Sequence, residues 1–141
     1  MLVRIFNSAD YSEWRRMRDA FWPDQTAADM AAWLARPDAA VLVAERSPSG
    51  LCGLAEVGAR SIAEGCTTSP VAYLEGWYVD PDVRQQGVGD ALLRGVEAWA
   101  RRAGYRELAS DTGLTNQVSQ QAHERLGFTE VERAVQYRKV L

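Results

Sequence analysis

Val79-Asp80-Pro81-Asp82-Val83-Arg84-Gln85-Gln86-Gly87-Val88-Gly89 divides two strongly patterned stretches of this sequence. Before it, Val71 to Val79 reads as a long strand; after it, Val88, Leu92, Val96, Trp99 and Ala103 recur at helical spacing between Gly87 and Ala103. Asp90, Arg94, Glu97 and Arg101 take the opposite face, and Gly104 stands where a C-terminal cap belongs. A helix N-terminus offers unpaired backbone N–H groups at the positive end of the helix dipole. Glycines at 87 and 89 let an anion approach that backbone with no Cβ in the way, and Arg84 adds a cation at the mouth. The stretch lacks the Gly-Lys-Ser/Thr ending of a nucleotide P-loop and the third glycine of a dinucleotide fingerprint. Two readings remain: a tight turn with an incidental Gly-x-Gly, or an anion cradle of another kind.

Working outward, Leu2 to Phe6 reads as a short strand and Asp10-Tyr11-Ser12-Glu13 as a capping box opening a helix with Trp14, Met17 and Phe21 on one face. Thr26 with Asp29 opens a second helix that turns Met30, Trp33 and Leu34 inward and stops at Arg36-Pro37. Ala40 to Glu45 and Leu51 to Val57 form a hairpin across Ser47-Pro48-Ser49-Gly50. Arg60 to Pro70 is a long polar loop, of a length that is often functional. Beyond the long helix come a strand at Glu107 to Ser110, a helix from Asn116 to Leu126 and a strand pair from Phe128 to Val140. The order β-α-α-β-β-β-α-β-α-β-β makes an α+β fold, with a mixed, mostly antiparallel central sheet and about four flanking helices.

With 141 residues, 47% of them apolar, the chain fits one domain spanning 1–141. The N-terminus Met1-Leu2-Val3-Arg4-Ile5 carries no secretion signal, and no apolar run approaches the roughly 20 residues of a membrane helix, so a soluble cytoplasmic protein is expected. Two cysteines, Cys52 and Cys66, with one histidine make neither a disulfide framework nor a metal-ligand set, so no metal is expected. Sixteen basic against nineteen acidic residues argue against a nucleic-acid partner and fit a cationic small molecule.

Val79, Pro81 and Arg84-Gln85-Gln86-Gly87-Val88-Gly89 resemble the Arg/Gln-x-x-Gly-x-Gly/Ala loop of the GNAT superfamily of N-acetyltransferases. Asn116 to Gly127-Phe128 looks like the second cofactor-contacting segment of the same superfamily. The resemblance implies a GNAT fold with acetyl-CoA as cosubstrate. It puts the pyrophosphate on Arg84, Gln85, Gln86, Gly87, Val88, Gly89 and Asp90, the thioester along Trp77, Tyr78 and Val79, and the pantetheine arm beside Asn116. A helix-terminal polar residue is the plainer reading of Asn116. Gly76 is a reasonable place for a bulge.

Four further stretches are similar to the chromosomal type of aminoglycoside 6'-N-acetyltransferases: Trp22-Pro23, Thr68 to Gly76, Ala109-Ser110-Asp111-Thr112 and Glu130-Val131-Glu132-Arg133. An amine attacks a thioester only as its free base, so a carboxylate must bind the ammonium and take a proton. Glu75 is the candidate, because a charge inside an apolar strand costs energy unless it is paired or used. A structural salt bridge is the alternative. The likeness adds Trp22, Asp111 and Glu132 as substrate-binding residues; as ordinary residues they would be core, turn and solvated strand. Ile62 stands where related enzymes often carry a tyrosine. His123 replaces the tyrosine that many relatives place four residues before Gly-Phe, and imidazole can donate a proton to the departing thiolate near neutrality. Tyr78 and Tyr137 are rival acids. The expected reaction is direct acetyl transfer from acetyl-CoA to an aminoglycoside 6'-amine. Its rivals are transfer to another cationic amine (polyamine, amino sugar or peptide amine) and a non-catalytic CoA-binding module. The likeness also implies a homodimer, with the apolar tail Ala134-Val135-Gln136-Tyr137 at its interface.

Overall fold

The structure, a computed structural model, describes residues 2–141. Its elements are β1 (Val3–Ile5), α1 (Tyr11–Phe21), α2 (Ala27–Leu34), β2 (Ala39–Glu45), β3 (Leu51–Arg60), β4 (Val71–Val79), α3 (Val88–Arg102), β5 (Leu108–Ser110) and α4 (Gln117–Arg125). Single 3-10 turns at Ser8–Asp10 and Pro81–Val83 precede α1 and α3. The five strands lie in the order β1-β2-β3-β4-β5, antiparallel except for the parallel pair β4/β5. This is the expected α+β mixed sheet.

β2 shows why the chain folds in layers. Val41 and Val43 pack with Trp14, Met17, Met30 and Leu54 beneath α1 and α2, while Leu42 and Ala44 pack with Leu92 and Val96 of α3 on the other face. A strand buried on both faces reads as a continuous apolar run, as Ala39 to Ala44 does. α3 lies close to the sheet because Gly95 has no side chain: a Cβ there would sit 2.7 Å from Leu42 Cδ2. Gly104 ends α3 with φ of 90°, as a C-terminal glycine cap does.

Several local expectations change. The capping box lies three residues upstream, where Asn7 caps the 3-10 turn and the Asp10 carboxylate accepts from the Asn7 N–H at 2.8 Å. Arg4 also binds Asp10 through both terminal nitrogens, and Glu13 turns instead to Arg16 and the Leu51 N–H. Thr26 and Asp29 do form their reciprocal cap. Leu34 and Phe21 are largely exposed rather than inward, and Ala100 replaces Ala103 in the core. The strand pair expected at Phe128 to Val140 does not form. Residues 129–141 form no regular element and are exposed, because β5 is only three residues long and gives them no ladder within the chain. The segment touches the body at the 61–70 loop, where a Cβ on Gly65 would meet Val131 Cβ at 2.6 Å.

Candidate active site

The site is built where two parallel strands part. β5 pairs with β4 only from Ala72/Leu108 to Leu74/Ser110, whereas β4 continues to Val79 beside β3. The edge of β4 from Gly76 to Val79 is therefore left without a strand neighbour, a row of backbone groups open to an extended ligand. The parting begins at a β-bulge. Glu56 faces Gly76 and Val57 faces Leu74, so Glu75 is the extra residue. The bulge falls one residue before Gly76, and such irregularities re-aim side chains beside active sites.

At the far end of β4 the chain turns through Pro81–Val83 into α3. Gly87 is the N-cap with φ of 85°, and Gln85 also has positive φ, 61°. The first bond of the helix ladder runs from the Ala91 N–H to the Gly87 carbonyl, so the N–H groups before Ala91 lie ahead of it. Gly87 has no side chain to cap them, and nothing lies within 4 Å of where its Cβ would be. That open turn of amides suits an anion. Arg84 folds back to donate to the Val79 carbonyl at 2.8 Å, and Asp90 is partnered by Arg125 at 3.6 Å. Trp77 contributes backbone to the open edge, while its indole N–H bonds the Gly89 carbonyl at 3.1 Å and its ring meets His123 edge-on. The Tyr78 ring is buried on the opposite face with Trp14, so its phenol is raised by burial and by Asp80.

Asn116 caps α4, its side-chain oxygen accepting from the Ser119 N–H at 3.1 Å. His123 lies at the point where the strands part. Its Nδ1 faces the Ser119 carbonyl at 2.7 Å, and its Nε2 lies 2.9 Å from Ser110 Oγ, which is also 3.3 Å from the Leu74 carbonyl. A carbonyl only accepts, so Nδ1 carries a proton. Neutral His123 then accepts the single Ser110 hydroxyl proton, whereas the charged form donates to Ser110 and leaves that proton for the Leu74 carbonyl. Ser110 was legible only as part of the Ala109-to-Thr112 stretch; its partnership needs the turn of α4.

On the acceptor side the structure brings together residues remote in sequence. The Glu75 carboxylate binds Arg60 through two bonds of 2.7 and 2.9 Å, so the salt-bridge reading is present in fact. The Arg60 guanidinium lies 3.5 Å from the Tyr73 ring centroid, and the Tyr73 hydroxyl donates to Asp111 at 2.7 Å. Burial, then the Asp111 bond, holds that phenol above its ordinary range. Trp22 is half-buried, with its ring edge over Gly76: a Cβ there would fall 2.6 Å from Trp22 Cη2. Beneath it, the buried Arg18 and Glu56 form a bidentate ion pair, Trp14 donates to the same carboxylate at 2.8 Å, and Arg18 lies 4.8 Å from the Trp22 ring centroid. Sequence reasoning missed Arg60, Tyr73, Arg18 and Glu56; the two charges placed within amphipathic runs, Arg18 and Glu56, were the available signal.

A cavity of about 1060 Å³ opens beside this cluster, between the 61–70 loop, β5, α4 and the C-terminal segment. Its walls carry six carboxylates, Glu64, Glu107, Asp111, Glu124, Glu130 and Glu132, against Arg60 and Arg133. Glu132 and Ile62 are both on its wall, and both are exposed. Glu107 also pins the loop by accepting from the Thr67 and Thr68 N–H groups and the Thr68 hydroxyl, which depresses its pKa below the usual glutamate value. Glu75 and Trp22 do not line the cavity; Arg60 does. Among the described residues no group of three or more His, Cys, Asp or Glu side chains is arranged for a metal, and no helix is long and apolar enough to cross a membrane.

A splayed parallel strand pair, a bulge at the parting point and a glycine-opened helix N-terminus define a domain whose geometry suits an anionic, extended ligand. The profile of the Acetyltransferase (GNAT) family matches residues 7–128, and the chain belongs to that family. It is 45% identical over 148 residues to an aminoglycoside N(6')-acetyltransferase type 1 of Klebsiella aerogenes, covering 99% of this chain and 97% of that one. A protein of the same description from Stenotrophomonas maltophilia is 40% identical over 142 residues, covering 99% and 93%. Among solved structures, AAC(6')-Iy in complex with the bisubstrate analogue CoA-S-monomethyl-acetylneamine aligns with a TM-score of 0.91 at 36% identity, covering 99% of this chain and 98% of that one. The apo aminoglycoside 6'-N-acetyltransferase AAC(6')-IG of Acinetobacter haemolyticus aligns with a TM-score of 0.90 at 34% identity, covering 100% and 99%.

Proposed function

We propose that this chain transfers the acetyl group of acetyl-CoA to the 6'-amine of an aminoglycoside, an activity that confers resistance to the drug. The observation that carries the reading is the acidic cavity opening beside the parted strands, since an aminoglycoside is a polycation and needs carboxylates at separate points. The near full-length likeness to N(6')-acetyltransferases supports the same regiochemistry. The cofactor fits what is present: α3's open first turn takes the pyrophosphate, and the free edge of β4 takes the pantetheine and acetyl groups.

In this reading Glu75, carried by the bulge, binds the substrate ammonium and takes a proton from it, directly or through water. The amine lone pair forms the C–N bond at the thioester carbonyl, the adduct nitrogen releases its surplus proton to solvent, and the tetrahedral adduct collapses with cleavage of C–S. Backbone N–H groups at the parting stabilise its oxyanion. The thiolate leaves with a proton that His123 delivers, directly or through Ser110. Trp22 walls the sugar, and Asp111 and Glu132 take further ammonium groups. Asn116 retains its side-chain NH2 for the pantetheine arm, since its cap uses only the oxygen.

We further propose a cytoplasmic homodimer in which the exposed segment 129–141, carrying Val131, Val135 and Tyr137, finds a strand neighbour on the second copy. Light scattering on the full chain and on a chain ending at residue 128 tests this: the first is expected at twice the chain mass and the second at once.

The test of function follows CoA thiol release with kanamycin and tobramycin against a 6'-hydroxyl aminoglycoside, spermidine and a basic peptide. Turnover of the 6'-amino compounds alone is expected. Glu75→Gln should lower kcat by about 100-fold or more, the usual worth of a general base, with the KM for acetyl-CoA unchanged. Turnover of spermidine or the peptide alone would refute the aminoglycoside reading.

A further inference from the structure

Three observations converge on Arg60, the last residue of β3. Both bonds it makes to Glu75 are charge-assisted and parallel, the bidentate arrangement that gives guanidinium its selectivity for carboxylates. Its guanidinium carbon stacks on the Tyr73 ring at 3.5 Å. The hydroxyl of that ring is in turn held by Asp111, so a second carboxylate adds negative charge to the same spot. A carboxylate, an aromatic face and a second carboxylate together make a binding site for an organic cation, and that site is filled by a side chain of the chain itself.

The arrangement conflicts with the chemistry asked of Glu75. A guanidinium keeps its charge near neutral pH, so while both Glu75 oxygens are bound to Arg60 the carboxylate is already partnered with a cation where it would have to meet the substrate ammonium. Arg60 also lines the cavity while binding Glu75, which does not line it. Two features make it movable. Its side chain is 45% exposed, and ion pairs of that exposure contribute only about 0.2–1 kcal/mol. It is also the strand's last residue, joined directly to the 61–70 loop.

We infer that Arg60 is a resident counter-ion that the acceptor must displace from Glu75 and Tyr73, a cost common to every acceptor that sets a threshold of affinity. An acceptor with one amine only replaces one cation by another and gains little. An acceptor with further ammonium groups gains contacts to Asp111, Glu132 and the other wall carboxylates that offset the cost. Arg60 thus sets the affinity an acceptor must reach, and Glu75 remains the group that touches the amine. The inference rests on the reading of Glu75 as the ammonium-binding residue.

Arg60→Ala and Arg60→Gln, compared with the parent chain, test it with two acceptors: kanamycin and the monoamine 6-amino-6-deoxyglucose. Removal of the counter-ion is expected to raise kcat/KM for both acceptors by about tenfold, the combined scale of an exposed bidentate pair and its aromatic stack, since both displace the same guanidinium. Titration calorimetry of both acceptors with CoA present should show Kd falling by the same factor, and it needs no turnover. Unchanged Kd and kcat/KM for both acceptors in both variants overturn the proposal. So does a parallel fall in kcat for both acceptors, which would make Arg60 a residue that positions Glu75. Failure of the Glu75 reading has its own signature: Glu75→Gln alone would keep parent kcat and parent acceptor Kd.

Discussion

The two halves of the proposed site, one for the cofactor and one for the acceptor, are held by different forces. On the cofactor side, the open edge of β4, the left-handed Gly87 and the first turn of α3 present backbone groups, and their positions follow from strand and helix geometry. On the acceptor side, Arg60, Tyr73, Glu75 and Asp111 stand on or beside the paired strands β3, β4 and β5, and the contacts among them are made by side chains. Backbone sites are rigid and indifferent to most substitutions; side-chain sites are adjustable, and each member depends on the others. A transferase that uses one cosubstrate and must recognise an acceptor has reason to divide its site in this way.

If that division is real, the largest effect of one substitution should come from the charges beneath the acceptor side. Arg18 and Glu56 are both buried, and they support Trp22 where it crosses Gly76. Arg18→Met leaves a buried carboxylate with one indole donor and is expected to cost about 3–5 kcal/mol in chemical denaturation. Arg18→Met with Glu56→Leu should recover most of that loss, because two apolar residues of similar size leave no charge stranded. A single-variant loss below about 1 kcal/mol would show that the pair is not the foundation of this half.

Next in size is the backbone half. Nothing surrounds Gly87, so Gly87→Ala acts through φ alone, and a left-handed conformation costs an alanine about 1–2 kcal/mol. The KM for acetyl-CoA should rise about tenfold while the KM for the acceptor stays as it was. Asp111→Asn is smaller and opposite in sense. The amide oxygen can still accept from Tyr73, but the charge is gone, so the acceptor KM should rise about threefold with that for acetyl-CoA unchanged. Crossed effects in this pair would remove the distinction between the halves.

The same division governs what the sequence revealed. α3 was read as Gly87 to Ala103 and is Val88 to Arg102, because a glycine N-cap, an apolar stripe and a C-terminal glycine are all local signals. The bulge at Glu75 was half legible: an interrupted apolar strand with a glycine pointed to it, one residue late. Arg60 sat unread in a polar stretch, since nothing near it in sequence tells that it will stack on Tyr73. Residues 128–140 have the alternation of strands yet form none, because a strand also needs a neighbour and β5 offers only three residues. The misplaced capping box has the same cause: Asp10 looked like a cap for α1, but Arg4, from the far side of the turn, and the Asn7 N–H bind it.

The last prediction probes the joint between the halves through the pH dependence of stability. Asp80 ends β4 where the cradle loop begins, and its buried carboxylate is bound by Arg16 of α1 and Arg46 of the β2–β3 turn. Burial alone would raise its pKa, but the two guanidinium groups outweigh that and hold it below the ordinary aspartate value of 3.8. A carboxyl more acidic when folded than when unfolded stabilises the fold fully above 3.8, and the contribution is lost as pH falls from there through the folded value. Thermal melts of the parent chain should therefore drop steeply below about pH 4. Asp10, Glu13 and Glu107, also held below their usual range, add to the slope. Asp80→Asn should melt lower than the parent at pH 7 and converge with it in acid, since only the parent has an ionised carboxylate to lose. Parallel melting curves across that window would mean that backbone geometry alone anchors the cradle, and the cofactor half would then owe nothing to charge.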